Sequence, residues 1–370
     1  MHLLKCDYNT KQSTDIAFMK VIFSFDYELF FGANSGSPEK CMIEPAVAMM
    51  TIAADFGVPL CFFVDTGYLV ALKRFSASSG ELRRQETLFR RNLDNLAAHG
   101  HELLLHVHPH WEDAVWTGDH WDFDLARFCL SDFDDASVMD IVKRHADELR
   151  LHSKDGRIHA YRAGGWAVQP FVPIGNALKV AGIRIDSTVY PGGKDTTGKA
   201  KFDFSAAPVK TQWRFESDPA IEEPLGTFIE IPVSSMTVSP RYYWRVALSR
   251  LMKSEGMMPF GDGAVRAVPA GKNRLDKLNK LFAPTLYCVT LDGMKANLAL
   301  GEYKRMVRQG AKMLVLLSHP KMMTPFSMKA MRCLLDEIKR NSDEVIGYEH
   351  FDVIEPALPK HTIAQRALKS

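Results

Sequence analysis

Short apolar runs alternate with longer amphipathic stretches from Val21 to Leu317, and this rhythm constrains the fold more than any other feature of the chain. The runs VIFSF from Val21, VPLCFFVD from Val58, HELLLHVH from His101, RIHAYRA from Arg157, IRIDSTV from Ile183, TFIEIPV from Thr227 and MLVLLSH from Met313 read as strands. Between them, 44–56, 86–98, 134–151 and 171–181 carry apolar residues at helical spacing, and Gly57, Gly100 and Gly182 stand where left-handed helix ends belong. Strands that alternate with helices build a parallel sheet covered by those helices, because each parallel crossover needs a dozen residues or more. The 370 residues are therefore expected to hold one α/β domain over 19–370, a distorted (β/α) barrel of about seven parallel strands. Residues 1–18 read as a polar tail, with Met19 a candidate natural start. The stretch from Pro240 to about Lys312 breaks the rhythm and reads as a helical insertion over one barrel end.

Charge narrows the partners. With 46 Lys and Arg against 44 Asp and Glu, nothing calls for a nucleic-acid partner. The basic residues are locally concentrated, however. Between Pro240 and Phe282 stand Arg241, Arg245, Arg250, Lys253, Arg266, Lys272, Arg274, Lys277 and Lys280 against Glu255, Asp262 and Asp276. Such a surface suits an anionic membrane face or a lipid-linked substrate. Six scattered cysteines without a C-x-x-C pair read as reduced thiols. No secretory leader and no apolar run of membrane-spanning length is seen, so the expected location is cytoplasmic, peripheral at most to the inner membrane face.

The polar residues that demand explanation cluster where strands end. His106, His108 and His110 alternate in HVHPHW directly after an apolar run, a concentration that packing does not require. Asp26 and Glu28 follow the run ending at Phe25 in the same way, and buried carboxylates need partners. A carboxylate with two imidazoles forms a three-ligand set that leaves open positions, as a hydrolytic metal requires. Arg162, Asp186 and His319 also fall at strand ends, the face on which barrel enzymes carry their chemistry. Read alone, each motif is equally compatible with a satisfied core or turn residue.

Taken in order, SFDYE, GHELLLHVHPH, AYRAGGW, IDSTVYPGG and LLSHP resemble the five motifs of the polysaccharide deacetylases, the NodB-homology family of carbohydrate esterases. The resemblance implies a distorted (β/α) barrel and a metal-dependent N-deacetylase acting on a sugar or on a nucleotide- or lipid-linked glycan precursor. It further implies one divalent ion, zinc in the first place, held by His106, His110 and Glu28, with Asp26 as general base. The reverse assignment, Asp26 on the metal, stays open, because Tyr27 stands where the family usually has its metal aspartate. Arg162 matches the arginine that pairs with the base, and His319 the general acid. Trp166 and Asp186 match groove-lining positions, and Tyr27, His108, Trp111 and Tyr190 are expected to meet substrate beside them. His101 is expected to make a structural hydrogen bond. A hydrolase of a small non-sugar amide or imide would keep the same site. A silent carbohydrate-binding barrel is what Tyr27 favours, and the joint presence of His106, His110, Arg162 and His319 speaks against it.

Overall fold

The computed structural model describes residues 18–32, 34–196, 198–251, 256–264 and 281–351. Apart from Phe18 the expected tail lies outside these residues, as do Lys253, Arg266, Lys272, Arg274, Lys277 and Lys280 of the basic stretch.

All seven expected strands form and share one sheet. They are β1 (Lys20–Tyr27), β2 (Cys61–Asp65), β3 (Glu102–Val107), β4 (Ala160–Ala163), β5 (Ile185–Asp186), β7 (Phe228–Glu230) and β8 (Met313–Ser318). Two short strands missing from the sequence reading, β6 (Trp213–Phe215) and β9 (Glu344–Val345), bring the sheet to nine. Its order is β6-β7-β5-β4-β3-β2-β1-β8, with β9 also on β1, and every pair is parallel except β6 with β7. The sheet curls into a half-barrel and does not close by a ladder. Single backbone bonds cross the gap between β5 and β8 through irregular chain, Val233 N–H to Val189 O (2.8 Å), Val289 N–H to Ser234 O (2.8 Å) and Leu317 N–H to Val289 O (3.0 Å). The expected near-closed barrel is thus corrected to an open one, because the chain after β7 pairs outside the main sheet, Ser235–Val238 running antiparallel to Thr285–Cys288.

Helices α1 (Glu44–Phe56), α2 (Thr66–Phe75), α3 (Gly80–Ala98), α4 (Asp135–Arg150) and α5 (Val172–Val180) cover the outer face, and α6 (Pro240–Leu251), α7 (Ala296–Arg308) and α8 (Pro325–Arg340) follow. Their ends obey local chemistry. Gly57 terminates α1 at φ 65°, a conformation that costs glycine nothing, and Asp134 caps α4 by accepting Ser137 N–H at 2.8 Å. Val138, Ile141, Val142, Ala146 and Leu149 of α4 recur at three- and four-residue spacing and are all buried.

The two-residue period of the central strands sorts their side chains. Val21, Phe23, Phe25 and Tyr27 of β1 face the helical layer and join the larger core, whereas Ile22 joins a smaller inner cluster with Cys61, Phe63, Leu104, Ala160, Val315 and Leu317. Further along the same inner rows come Ser24 and Asp26, Asp65, His106, Arg162 and His319. One end of the inner face therefore carries the polar residues, on top of a packed apolar plug.

Within the expected insertion, one described segment is bonded to the loops at that end. The segment 256–264 is tied down by Phe260 N–H to Met323 O (2.9 Å), Gly261 N–H to Lys321 O (3.1 Å) and Ala264 N–H to Asn34 O (2.9 Å). No helix among the described residues is long and apolar enough to cross a membrane.

Candidate metal and active site

Three ligand atoms meet at the carboxyl end of β1 and β3. Glu28 Oε2 lies 2.6 Å from His108 Nε2 and 3.3 Å from His106 Nε2, and the two imidazole Nε2 atoms are 3.0 Å apart. His106 turns its Nδ1 toward the Arg162 carbonyl at 2.9 Å. Donation there leaves the Nε2 lone pair for the cluster, the arrangement that fixes a metal-binding tautomer. Atoms about 2.0–2.1 Å from a tetrahedral ion stand roughly 3.3 Å from one another. The 3.3 and 3.0 Å separations are close to that and the 2.6 Å one is shorter, so a small divalent ion would need the cluster to open slightly, and Glu28, His106 and His108 could hold one.

The geometry redistributes the expected ligands. His106 and His108 are two residues apart on an extended backbone and share a face, but the chain then enters a 3-10 turn at Pro109–Glu112. His110 is thereby carried out of the cluster into an aromatic box, with ring centroids 4.4 Å from Phe31, 5.3 Å from Phe123 and 5.9 Å from Phe128. Neither of its nitrogens has a hydrogen-bond partner among the described residues. Burial, and after it the charge of His108, holds its pKa well below the usual histidine value. Gly164 is what admits the His108 ring, since a Cβ there would stand 2.5 Å from His108 Nδ1.

A second carboxylate flanks the cluster without joining it. Asp26 Oδ1 accepts from Arg162 Nη1 at 2.7 Å, and Oδ2 faces His106 Nε2 at 3.9 Å and His319 Nε2 at 3.7 Å. Burial alone would raise the pKa of Asp26, but Arg162, then His106 and His319, outweigh it and hold the carboxyl below its ordinary value. The guanidinium is itself fixed by the Ser187 carbonyl (2.8 Å), Ser24 Oγ (3.0 Å) and the face of Phe63. Truncating it would leave Asp26 as an uncompensated buried charge, at a cost of roughly 3–5 kcal/mol.

On the other side stands His319. Its Nδ1 donates to Asp292 Oδ2 at 2.8 Å, and its backbone N–H donates to Asp292 Oδ1 at the same distance. Burial opposes a charged ring here, yet Asp292 first, then Asp26 and Glu28, raise the pKa above the usual histidine value. The free Nε2 points at the two carboxylates.

The sequence reading missed Asp292 and Lys321. Asp292 follows the apolar run CVTL, the same signal that marked Asp26, but its strand lies outside the main sheet. Lys321 is 6% exposed and binds Glu28 Oε1 at 2.8 Å and the Leu29 carbonyl at 2.6 Å, over the rings of Phe30 and Phe31. It leaves Glu28 only Oε2 to offer the cluster. Burial would raise the pKa of Glu28, and Lys321 and His108 pull it well below the ordinary range.

Several expected substrate contacts lie elsewhere. Tyr27 points away from Asp26 and Glu28, as strand alternation requires, and its hydroxyl donates to Asn92 within the core. Trp111 is 1% exposed, donates to Asp65 Oδ2 at 2.6 Å and packs on Trp121 and Phe123. Asp186 is buried beneath the site, its carboxylate taken by the Thr188 hydroxyl (2.7 Å) and N–H (3.2 Å). Trp166 and Tyr190 are half-buried and meet edge to face at 4.6 Å. Trp166 sits at φ 66°, an uncommon conformation for a bulky residue, directly after Gly164 and Gly165. His101 accepts the Leu60 N–H at 3.2 Å, a structural bond between β2 and β3.

No protein-family model matches the chain, and no curated protein does. Among solved structures it is similar to a Mycobacterium smegmatis protein classed as a polysaccharide deacetylase, at 15% identity over 92% of this chain and 91% of that one, with a TM-score of 0.46. It is similar to the polysaccharide deacetylase Bc1974 from Bacillus cereus at 10% identity over 90% and 93% of the two chains, with a TM-score of 0.37. A GH57-type branching enzyme from Pyrococcus horikoshii aligns at 10% identity over 91% and 70%, with a TM-score of 0.46.

Proposed function

We propose that the chain is a metal-dependent amide hydrolase that removes the acetyl group from an N-acetylated sugar. The observation that carries this reading is the buried cluster Glu28–His106–His108, which could hold an ion, close to the Asp26 carboxylate of lowered pKa and to His319, whose pKa is raised and whose Nε2 lies 3.7 Å from that carboxylate.

Amide hydrolysis needs an activated water, stabilisation of a developing oxyanion and a proton for the departing amine. A divalent ion, zinc in the first place, supplies Lewis acidity when bound. Asp26, kept ionised and oriented by Arg162, takes the proton of the attacking water at Oδ2. His319, held through Nδ1 by Asp292, donates from Nε2 to the leaving nitrogen. Asp292 raises its pKa and so favours the protonated ring that a general acid needs. The aromatic pair Trp166 and Tyr190 offers apolar faces suited to a sugar ring. The five sequence motifs support the same substrate class.

Acetate release from N-acetylglucosamine oligosaccharides, after chelation and again after adding zinc, tests the reading. Metal-restored release is expected. Hydrolysis of small non-sugar amides with no action on the sugars would replace the substrate assignment.

A further inference from the structure

Helix α6 (Pro240–Leu251) packs by one face and leaves the other to solvent. Tyr242, Tyr243 and Val246 are half-buried, the two tyrosines pack on the core, and the Tyr243 hydroxyl meets the Thr285 hydroxyl at 2.5 Å. The opposite face, at helical spacing, carries Arg241, Trp244, Arg245 and Leu248, all exposed. Trp244 is 50% and Leu248 59% exposed, far more than large apolar side chains on a solvated helix face ordinarily are. The Trp244 indole donates to the Leu281 carbonyl at 3.2 Å, the residue before Phe282, which is itself 76% exposed. No acid occurs in α6, and neither Arg241 nor Arg245 has an ion-pair or hydrogen-bond partner among the described residues.

An apolar cavity of about 360 Å³ opens along the same helix, with Arg241, Tyr242, Arg245, Met257, Leu298 and Phe326 in its walls and no Asp or Glu among its lining residues. Phe326 begins α8 just after the loop that carries His319, and its N–H donates to the Gly256 carbonyl at 3.1 Å. The cavity and α6 therefore lie at the end of the sheet where the polar cluster stands.

The mixture of groups selects a partner. A specific protein interface covers about 800 Å² on each side, whereas the apolar groups here are three side chains around one helix. That small area suits insertion to a depth of about 5–10 Å at a bilayer surface, where indole and leucine enter the headgroup layer. Unpaired guanidinium groups on the same face match lipid phosphates, which accept two parallel hydrogen bonds from each. A neutral surface would leave them without a counter-charge.

We propose that α6 docks the protein on an anionic lipid bilayer, with Trp244, Leu248 and Phe282 in the headgroup layer and Arg241 and Arg245 on lipid phosphates. The docking does not depend on the acetamide reading of the site. Co-sedimentation of the full chain with phosphatidylcholine vesicles, with and without about one-third phosphatidylglycerol, tests it. Binding should require the anionic lipid and fall in half-molar salt, because exposed charges are screened there. Each basic residue near such a surface contributes about fivefold in partition, so Arg241→Gln with Arg245→Gln should weaken binding roughly 20–30-fold. Leu248→Asn should weaken it at least threefold, with native circular dichroism and unchanged turnover of a soluble substrate in both variants. Equal binding to neutral and anionic vesicles, no binding, or folded variants that bind as the parent does would overturn the proposal. Absence of vesicle binding together with a dimer that the arginine variants dissociate in sedimentation velocity would assign the face to a second copy of the chain instead.

Discussion

Asp292 grips His319 twice, through the backbone N–H and through ring Nδ1, both at 2.8 Å. The ring can then rotate little, and its Nε2 is aimed across the site at Asp26. In Asp292→Asn the orientation is loosened and the charge that lifts the His319 pKa is gone. We expect kcat to fall about 10²-fold with metal content unchanged. Because a general acid works only when protonated, the alkaline limb of the kcat profile should move to lower pH. An unmoved limb would take His319 out of the acid role.

The ligand set is tested by metal analysis of single variants. His106→Ala, His108→Ala and Glu28→Gln should each lose stoichiometric metal, whereas His110→Phe, replacing a ring already boxed by aromatics, should keep it. Retention in His108→Ala together with loss in His110→Phe would restore the H-x-x-x-H pair expected from the motif.

Gly164→Ala probes the close approach behind His108. The added methyl carbon would sit 2.5 Å from Nδ1, so the imidazole must move. Metal affinity should drop about 10–100-fold, as for other changes behind a ligand, without loss of the folded signal. Unchanged affinity measured by competition with a chelator would mean that His108 is not a ligand.

The strands and the inner-face site were legible because both follow from period-two alternation. Asp26 and Glu28 must share a face and Tyr27 must oppose it, so assigning Tyr27 to substrate contradicted the strand already read for β1. His108 and His110 were not separable from sequence. Their fates diverge only where extended backbone gives way to a 3-10 turn at Pro109, a change of local geometry that their spacing does not encode. Lys321 left no signal, because a lone lysine after a strand is ordinarily solvated, and its burial depends on the fold bringing Glu28 and the Leu29 carbonyl to it.

Away from the site, Glu112 is bound by Arg144 (3.1 Å) and His145 (3.2 Å), and its pKa is about 2 although burial alone would raise it. A carboxyl depressed on folding contributes stability that is present above its unfolded value and lost as pH falls through the folded one. Glu112→Gln should therefore destabilise by about 1–2 kcal/mol at pH 7, allowing for solvent screening. The difference should shrink between about pH 4.5 and pH 2, and thermal melts across that window check it. A gap that is constant with pH would assign the loss to packing.

In the proposed hydrolysis one ion at Glu28–His106–His108 and the carboxylate of Asp26 act together. Chelated protein is titrated with zinc while bound metal and acetate release are followed in the same samples, for the parent and for Asp26→Asn. Parent activity should rise linearly and saturate at one equivalent, and Asp26→Asn should bind the same equivalent with activity at least 10²-fold lower. Full activity of the parent in the chelated state, or undiminished activity in Asp26→Asn, would contradict it.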